Sequence, residues 1–146
     1  MDMDTRIERA SDGDAADVVA LLERNRLPID GLRDLLATAI VARESGRIVG
    51  SAALEIYRDG ALLRSVAVAP ERQHHGLGRQ LTDAAIQMAR ALRMPALYLL
   101  TTTAEQYFPK FGFERIERHE VPQSVQESIE FKSACPATAT VMRKAL

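Results

Sequence analysis

The chain has 146 residues, 19 basic and 20 acidic side chains, a net charge of −1 and 47% hydrophobic residues. We treat residues 1–146 as a single domain, since that length and apolar content suit one substantial core. Balanced charge offers no argument for binding nucleic acid or an anionic membrane, and one cysteine excludes an internal disulfide and a cysteine-based metal site. Because no apolar run could span a membrane and no signal-peptide pattern opens the sequence, we expect a cytoplasmic protein with no membrane partner and no metal.

The first half of the sequence predicts two helices and then an antiparallel meander. A short strand over residues 5–8 precedes a helix that begins near Asp14, with Ser11 or Asp12 as its cap, and a shorter helix over 31–38. Strands follow over 40–43, 48–57 and 62–68. Short glycine-containing turns separate these strands, which is typical of hairpins.

The second half alternates helices and strands. Its clearest helix follows residue 76 and carries one apolar stripe: Leu77, Leu81, Ala84, Ala85, Met88 and Leu92. The apolar run 96–100 predicts a strand covered on both faces. A helix over 104–110, a strand ending at Arg118, a turn or two of helix within 124–131 and a strand over 137–143 complete a mixed α/β fold.

The turn between strand 62–68 and its helix is the candidate ligand loop, with the sequence Gln73-His74-His75-Gly76-Leu77-Gly78. Two glycines let a ligand approach the backbone, and the unpaired N–H groups of the following helix suit a phosphate. The P-loop pattern is absent, and Leu81 stands where a dinucleotide fingerprint needs its third glycine. We predict a phosphate-binding loop, with an ordinary strand-to-helix turn as the alternative.

The spacing Gln73-x-x-Gly76-x-Gly78, preceded by Val66-x-Val68-x-Pro70, resembles the pyrophosphate loop of the GNAT superfamily of acetyl-CoA-dependent N-acetyltransferases. The order of elements resembles that family over essentially the whole chain. The resemblance implies a GNAT-like, mostly antiparallel central sheet flanked by helices, acetyl-CoA as co-substrate and a small-molecule amine as acceptor. It also allows for a homodimer.

Further segments narrow this resemblance to the GNAT acetyltransferases of bacterial arsenic-resistance operons, themselves similar to N-acetylglutamate-synthase-type enzymes. These segments are Leu27-Pro28…Gly31-Leu32, Leu62-Leu63-Arg64-Ser65, Leu99-Leu100-Thr101-Thr102-Thr103-Ala104 and Phe131…Cys135-Pro136…Ala139. The implied acceptor is an amino acid or an amino-acid-like toxic compound. We expect Cys135 to be a buried small residue, since a single thiol makes a poor arsenic site.

The resemblance also implies which residues contact acetyl-CoA: Val66, Ala67, Val68, Gln73, His74, His75, Gly76, Leu77, Gly78, Arg79, Thr101 and Phe108. Most of them contribute backbone, and the pantetheine arm pairs with the strand at 66–68 as an added strand does. The backbone N–H of Val66 is the candidate donor to the acetyl carbonyl. His74 and His75 are expected to offer their N–H groups rather than acid–base chemistry.

The group that protonates the leaving thiolate is less evident. Many members of the family carry A-x-x-[F/L]-Y-x-x-x-G-F, in which the tyrosine is the acid, but Phe108 occupies that position here. Tyr107 is one residue earlier and about 100° away around a helix. Either Pro109 distorts the turn so that Tyr107 acts as the acid, or water does.

Two charged residues, Arg64 and Glu55, interrupt apolar strands and are candidates for the acceptor site together with Leu27 and Ser65. One interpretation is a structural ion pair across neighbouring strands, because an isolated buried charge is costly. In the other, Arg64 binds a carboxylate of the acceptor and Glu55 attracts or deprotonates its amine. Regular alternation along the strand would place Arg64 on the same face as Val66.

A rival hypothesis from another class is a GNAT-fold module that binds acetyl-CoA as a sensor or partner-binding domain without efficient transfer. Phe108 in the tyrosine position favours it. Acetylation of proteins is a third alternative, which the near-neutral charge neither supports nor excludes.

Overall fold

The computed structural model describes residues 5–146, apart from the side chain of Ala134. In this described part of the chain, seven strands form one sheet: β1 (Thr5–Arg9), β2 (Ala39–Glu44), β3 (Arg47–Tyr57), β4 (Gly60–Val68), β5 (Ala96–Thr101), β6 (Glu114–Ile116) and β7 (Thr140–Ala145). The spatial order is β1-β2-β3-β4-β5-β7-β6, and every neighbouring pair is antiparallel except β4 and β5. The mixed, mostly antiparallel sheet and the β2–β4 meander are therefore confirmed.

Within residues 5–146, three α-helices accompany the sheet: α1 (Ala15–Arg24), α2 (Leu77–Ala91) and α3 (Gln123–Gln126). The predictions of helices over 31–38 and 104–110 are wrong in type, because both regions contain 3₁₀ turns, Leu32–Thr38 and Phe108–Phe111. In the first, Leu32 and Asp34 donate to carbonyls three residues earlier. In the second, Pro109 brings no backbone N–H for an α-helical hydrogen bond.

Helix α2 packs on one face of the sheet. Leu77, Leu81 and Ala85 of the predicted stripe are buried, whereas Leu92 is 40% exposed. The other buried positions of the helix are Thr82, Ile86 and Ala89. The apolar face is thus rotated slightly from the predicted one. No helix within residues 5–146 is long and apolar enough to cross a membrane.

A second, smaller apolar cluster covers the opposite face near β4 and β5. Its buried members are Leu62, Ala96, Tyr98, Val121, Val125, Phe131 and Val141. Three of them, Val121, Val125 and Phe131, belong to the segment between β6 and β7, which contains α3 and a single π-helical turn at Glu130–Ala134. The segment is therefore anchored against the sheet and holds Glu130 in a fixed position.

The parallel pair β4 and β5 opens into a cleft. The two strands pair only through Ala61 with Leu97 and Leu62 with Tyr98, although β4 continues to Val68 and β5 to Thr101. Beyond Leu62, residues of both strands line the same cavity. The edge of β4 from residue 63 onward is consequently not hydrogen-bonded to β5.

A β-bulge in β4 lies at this opening. Ala53 pairs with Arg64 but Ser51 pairs with Ala67, so β4 carries one extra residue, and Ser65 has a φ of 60°. The Ser51 hydroxyl donates to the Ser65 carbonyl at 2.7 Å. Because paired residues share a face, the bulge reverses the alternation. The expectation that Arg64 and Val66 share a face is therefore wrong, since they lie on opposite faces.

Candidate active site

The open β4–β5 pair forms one wall of a cleft of about 1060 Å³. Ten of the predicted cofactor residues line it: Val66, Ala67, Val68, Gln73, His74, Gly76, Gly78, Arg79, Thr101 and Phe108. Arg64, Ser65, Leu27 and Tyr107 line it as well. His75, Leu77 and Glu55 are not among the lining residues, and the Leu77 side chain is buried in the core.

One end of the cleft is the glycine-bearing loop. His74 and Gly76 adopt positive φ angles of 68° and 84°, and α2 begins directly after Gly76. The Gln80 N–H donates to the Gly76 carbonyl, so the N–H groups of residues 77–79 lie at the helix N-terminus, ahead of the first helical hydrogen bond. A Cβ on Gly76 would meet no atom within 4 Å. This arrangement of N–H donors around open space suits a phosphate.

The side chain of Gln73 fixes the loop against its neighbours. Its Nε2 donates to the Val68 carbonyl at 3.0 Å and to Asn25 Oδ1 at 3.2 Å. Asn25 begins the segment 25–30, which also lines the cleft, and the Pro28 carbonyl in that segment accepts from Arg64 Nη2 at 3.2 Å. The segment therefore connects the glycine loop with the far end of the cleft.

The bulge at Ser65 and Val66 lies at the middle of the cleft. Both residues stand opposite Ala52, so the β3–β4 ladder is interrupted there. Since β4 is also unpaired with β5 at this level, backbone groups near Val66 are available to a ligand. This geometry supports Val66 as a hydrogen-bond donor to an acyl oxygen.

Tyr107 and Phe108 face different surroundings. Phe108 is buried and packs edge-on against Phe113, with ring centroids 5.8 Å apart. The Tyr107 hydroxyl lies 3.1 Å from the position that a Cβ on Gly78 would occupy, and burial raises the pKa of this phenol. The structure thus brings the Tyr107 hydroxyl to the glycine-loop end of the cleft.

Arg64 is enclosed at the other end of the cleft. Its Nη1 lies 2.8 Å from Glu55 Oε2 and its Nε lies 3.4 Å from Glu130 Oε2, and its side chain has no exposed area. Tyr57 donates a short hydrogen bond to the same Glu55 carboxylate, and desolvation raises the pKa of Tyr57. The structure therefore contains the ion pair of the first interpretation. All three nitrogens of the Arg64 guanidinium contact protein groups, so a ligand carboxylate would have to compete with these partners.

Glu130 lines the cleft beside Arg64, a position that no sequence pattern predicts. Its side chain is 5% exposed, and desolvation raises its pKa to about 7 despite the attraction of Arg64. Cys135 is partly buried nearby, and desolvation raises its pKa to about 12, so the thiol is neutral. Neither periodicity nor a motif marks Glu130, because an irregular turn places it.

Comparisons with known proteins agree with this geometry. The family profile for the Acetyltransferase (GNAT) domain matches residues 36–115. An amino-acid acetyltransferase of Mycobacterium tuberculosis is 37% identical over 73 residues, which cover 49% of the chain and 41% of that protein. One from Neisseria meningitidis is 28% identical over 127 residues, covering 81% of the chain and 29% of that protein. The chain thus spans less than half the length of these curated relatives.

Solved structures show the same fold. N-acetylglutamate synthase from Neisseria gonorrhoeae, complexed with coenzyme A and N-acetyl-glutamate, superposes with a TM-score of 0.84 at 22% identity, covering 100% of this chain and 36% of that one. A Mycobacterium tuberculosis protein in complex with CoA gives a TM-score of 0.82 at 24% identity, covering 97% and 99% of the two chains.

Proposed function

Because the chain belongs to the GNAT acetyltransferase family, we propose that it transfers the acetyl group of acetyl-CoA to the amine of a small amino acid or amino-acid-like compound. The observation that carries this proposal is the opening of β4 from β5 between a loop of N–H donors and a buried carboxylate. The amino-acid acetyltransferases among its relatives support an amino acid as acceptor.

The cleft fits acetyl-CoA as co-substrate. The pyrophosphate would accept hydrogen bonds from the N–H groups around Gly76 and Gly78, at the positive end of α2. The pantetheine arm would run along the unpaired edge of β4 at residues 66–68. The acetyl carbonyl would then lie at the bulge, where the Val66 N–H stabilises the oxyanion of the tetrahedral intermediate.

The transfer itself forms a bond between the amine nitrogen and the acetyl carbon and breaks the carbon–sulfur bond. The amine loses one proton and the thiolate gains one. We propose water as the donor to the thiolate, because the Tyr107 hydroxyl lies beside Gly78 rather than beside the bulge. Glu55 acts as a positioning carboxylate for Arg64, since it is engaged by Arg64 and Tyr57 and does not line the cleft.

Leu27 and Ser65 form part of the acceptor's wall, and Arg26 is the cation proposed to bind its carboxylate. Arg26 lines the cleft in the segment that joins the glycine loop to Arg64, and within residues 5–146 its side chain has no ion pair. Arg64, enclosed by its partners, shapes this wall from behind instead of contacting the carboxylate.

Thiol release from acetyl-CoA tests the proposal. The purified protein is incubated with acetyl-CoA and each member of a panel of amino acids that includes L-glutamate, and free CoA is measured alongside the N-acetyl product. We expect amine-dependent CoA release with at least one amino acid. Tight acetyl-CoA binding with no release across the panel would favour the sensor or interaction module.

A narrower proposal is that the acceptor is an amino-acid-like toxic compound, as the resemblance to arsenic-resistance-operon acetyltransferases implies. Its support is the set of sequence segments around Leu27, Arg64 and Cys135. Cells that express the chain should then tolerate a toxic amino-acid analogue better than cells that express a Gly76→Val variant. That the protein forms a homodimer stays a prediction, and light scattering of the purified protein tests it by measuring the molar mass in solution.

A further inference from the structure

The acceptor end of the cleft holds more negative than positive charge. Two buried carboxylates, Glu55 and Glu130, share the single guanidinium of Arg64 at 2.8 Å and 3.4 Å. With both carboxylates ionised, the cluster is one positive charge short, and a buried unpaired charge is costly. The missing charge can come only from a proton or from a cation that enters through the cleft.

We propose that Glu130 is the group that receives the ammonium of the acceptor and takes its proton. This inference rests on the proposed transfer reaction and deepens it by naming a catalytic residue. The ammonium enters as the ion partner that the cluster lacks. One proton then passes from nitrogen to the Glu130 carboxylate, which leaves a neutral amine whose lone pair attacks the acetyl carbon.

The geometry selects Glu130 over Glu55. Glu130 lines the cleft, whereas Glu55 lies behind Arg64, outside the lining, and accepts hydrogen bonds from both Arg64 and Tyr57. The contact from Glu130 to the Arg64 Nε is the longer one, at 3.4 Å. Glu130 is therefore the carboxylate of the pair that a ligand can meet and that Arg64 holds less closely.

The charged and titratable groups around Glu130 are consistent with a carboxylate that changes its protonation state. Arg64 stabilises the ionised form, while Glu55 and the Asp30 carboxylate destabilise it. The Cys135 thiol is a neutral hydrogen-bonding neighbour, since desolvation raises its pKa. Desolvation dominates, and the resulting pKa of about 7 for Glu130 suits a group that exchanges a proton near neutral pH.

Binding without turnover gives the first test. L-glutamate and glutarate, which lacks the ammonium, are titrated calorimetrically into the CoA complex of the wild type, of Glu130→Gln and of a control, Glu114→Gln, on exposed β6. If L-glutamate does not bind, the other amino acids of the panel are titrated in the same way. We expect Glu130→Gln to bind the amino acid about 10-fold or more weakly than the wild type, the scale of one charge-assisted contact. Its affinity for glutarate should be unchanged, and Glu114→Gln should bind both compounds as the wild type does. Near pH 7, amino acid binding to the wild type should also release protons to the buffer, and the variant should not release them.

The pH dependence of kcat/KM gives the second test. For the wild type, kcat/KM should fall as pH drops below a pKa near 7. For Glu130→Gln, kcat/KM should be about 10²-fold lower at neutral pH, and this decrease at low pH should be absent. Glu130→Asp should restore part of the rate. With an acceptor whose amine has a low pKa and is already neutral at pH 7, Glu130→Gln should reduce kcat/KM much less.

The outcomes separate this inference from the proposed function. Amine-dependent CoA release with an unchanged pH profile and unchanged amino acid affinity in Glu130→Gln would overturn the role of Glu130 alone. Ammonium-selective binding that depends on Glu130, without any CoA release, would support the site and overturn the transfer reaction. If no amino acid binds the wild-type CoA complex, both are overturned.

Discussion

The two ends of the cleft are built in different ways. The glycine-loop end is a contiguous stretch in which backbone N–H groups border the open space beside Gly76. The acceptor end combines side chains from separate parts of the chain, with Glu55 on β3, Arg64 on β4 and Glu130 on the π-helical turn. The first end is open and offers backbone donors, whereas the second is a buried cluster of charged side chains.

This difference predicts different consequences of mutation. A change at the loop end should alter ligand binding and should lower the free energy of unfolding only by the local backbone strain that it introduces, because the loop has an open side. A change at the acceptor end should alter stability and its pH dependence as well as chemistry, because each buried charge there depends on the others.

The largest effect is expected from Arg64→Met. The substitution keeps an apolar stem but leaves Glu55 buried without its guanidinium, and the free energy of unfolding should fall by about 3–5 kcal/mol. Arg43→Met is the matched control, because Arg43 also contacts two carboxylates, on Glu8 and Asp14, but its side chain is 26% exposed. Arg43→Met should lower the free energy of unfolding by clearly less. Urea denaturation measures both.

Arg64 also separates the two interpretations of the acceptor end. If Arg64→Met kept wild-type stability and selectively raised the KM of an anionic acceptor, the direct carboxylate clamp would be correct and the enclosed ion pair would be unimportant.

The next effect is a pH dependence of stability that comes from Glu130. Its folded-state pKa is raised to about 7 from 4.5, so the folded protein binds this proton more tightly than the unfolded chain does. Stability from this group is therefore lost as pH rises from about 4.5 through 7, by about 3 kcal/mol at most. Glu130→Gln should gain stability relative to the wild type over this window, as measured by unfolding at pH 5 and pH 8.

Glu44 provides the control of opposite sign. Hydrogen bonds from Thr5 and Arg72 lower the pKa of Glu44. Glu44→Gln should therefore cost stability at neutral pH, and the difference should disappear as pH falls through the lowered folded-state pKa. If the two variants showed the same pH trend, the desolvation of Glu130 would not be the cause.

At the loop end, Gly76→Val should lower the affinity for acetyl-CoA by about 10²-fold. This is equivalent to losing one or two charge-assisted hydrogen bonds of about 1.5–3 kcal/mol. The new side chain would occupy the phosphate's place. Gly46→Val is a matched control, since Gly46 has a similar φ of 77° and equally open surroundings in the β2–β3 turn. Both variants should show similar backbone strain, but only Gly76→Val should lose affinity by calorimetry. Equal affinities would refute the loop assignment.

The sequence predicted the strand, turn and helix of the glycine-loop end because one local pattern determines them, and phosphate binding there stays a prediction. The glycine spacing, the preceding strand and the amphipathic helix lie next to one another in the chain, and the structure places Gly76 directly before α2. The alternation of strands with turns likewise predicted the β2–β4 meander. These are short-range signals, which do not depend on how distant segments pack.

The acceptor end was only partly predictable. The lone charges of Arg64 and Glu55 in apolar strands indicated an ion pair, which the structure contains. Glu130 was missed because its contact with Arg64 crosses 66 positions of sequence and depends on an irregular turn. The bulge at Ser65 was missed because a serine with positive φ leaves no mark in a period-2 pattern, and it moved Val66 to the face opposite Arg64.

Tyr107→Phe tests the boundary between the two ends and should have the smallest effect. The Tyr107 hydroxyl lies beside Gly78, because a Cβ built on Gly78 would be 3.1 Å from that hydroxyl and 3.6 Å from Val68. The hydroxyl is therefore nearer the glycine loop than the bulge at Val66. Its removal should change kcat by less than about 10-fold, because a general acid would be worth about 10²-fold or more. Any effect should fall on acetyl-CoA affinity instead. Steady-state assays would measure kcat, and rapid-quench kinetics with saturating acetyl-CoA would measure the rate constant of the chemical step separately. A loss of two orders of magnitude at unchanged affinity would show that Tyr107 turns toward the sulfur once acetyl-CoA is bound, and the tyrosine would then belong to the acceptor end.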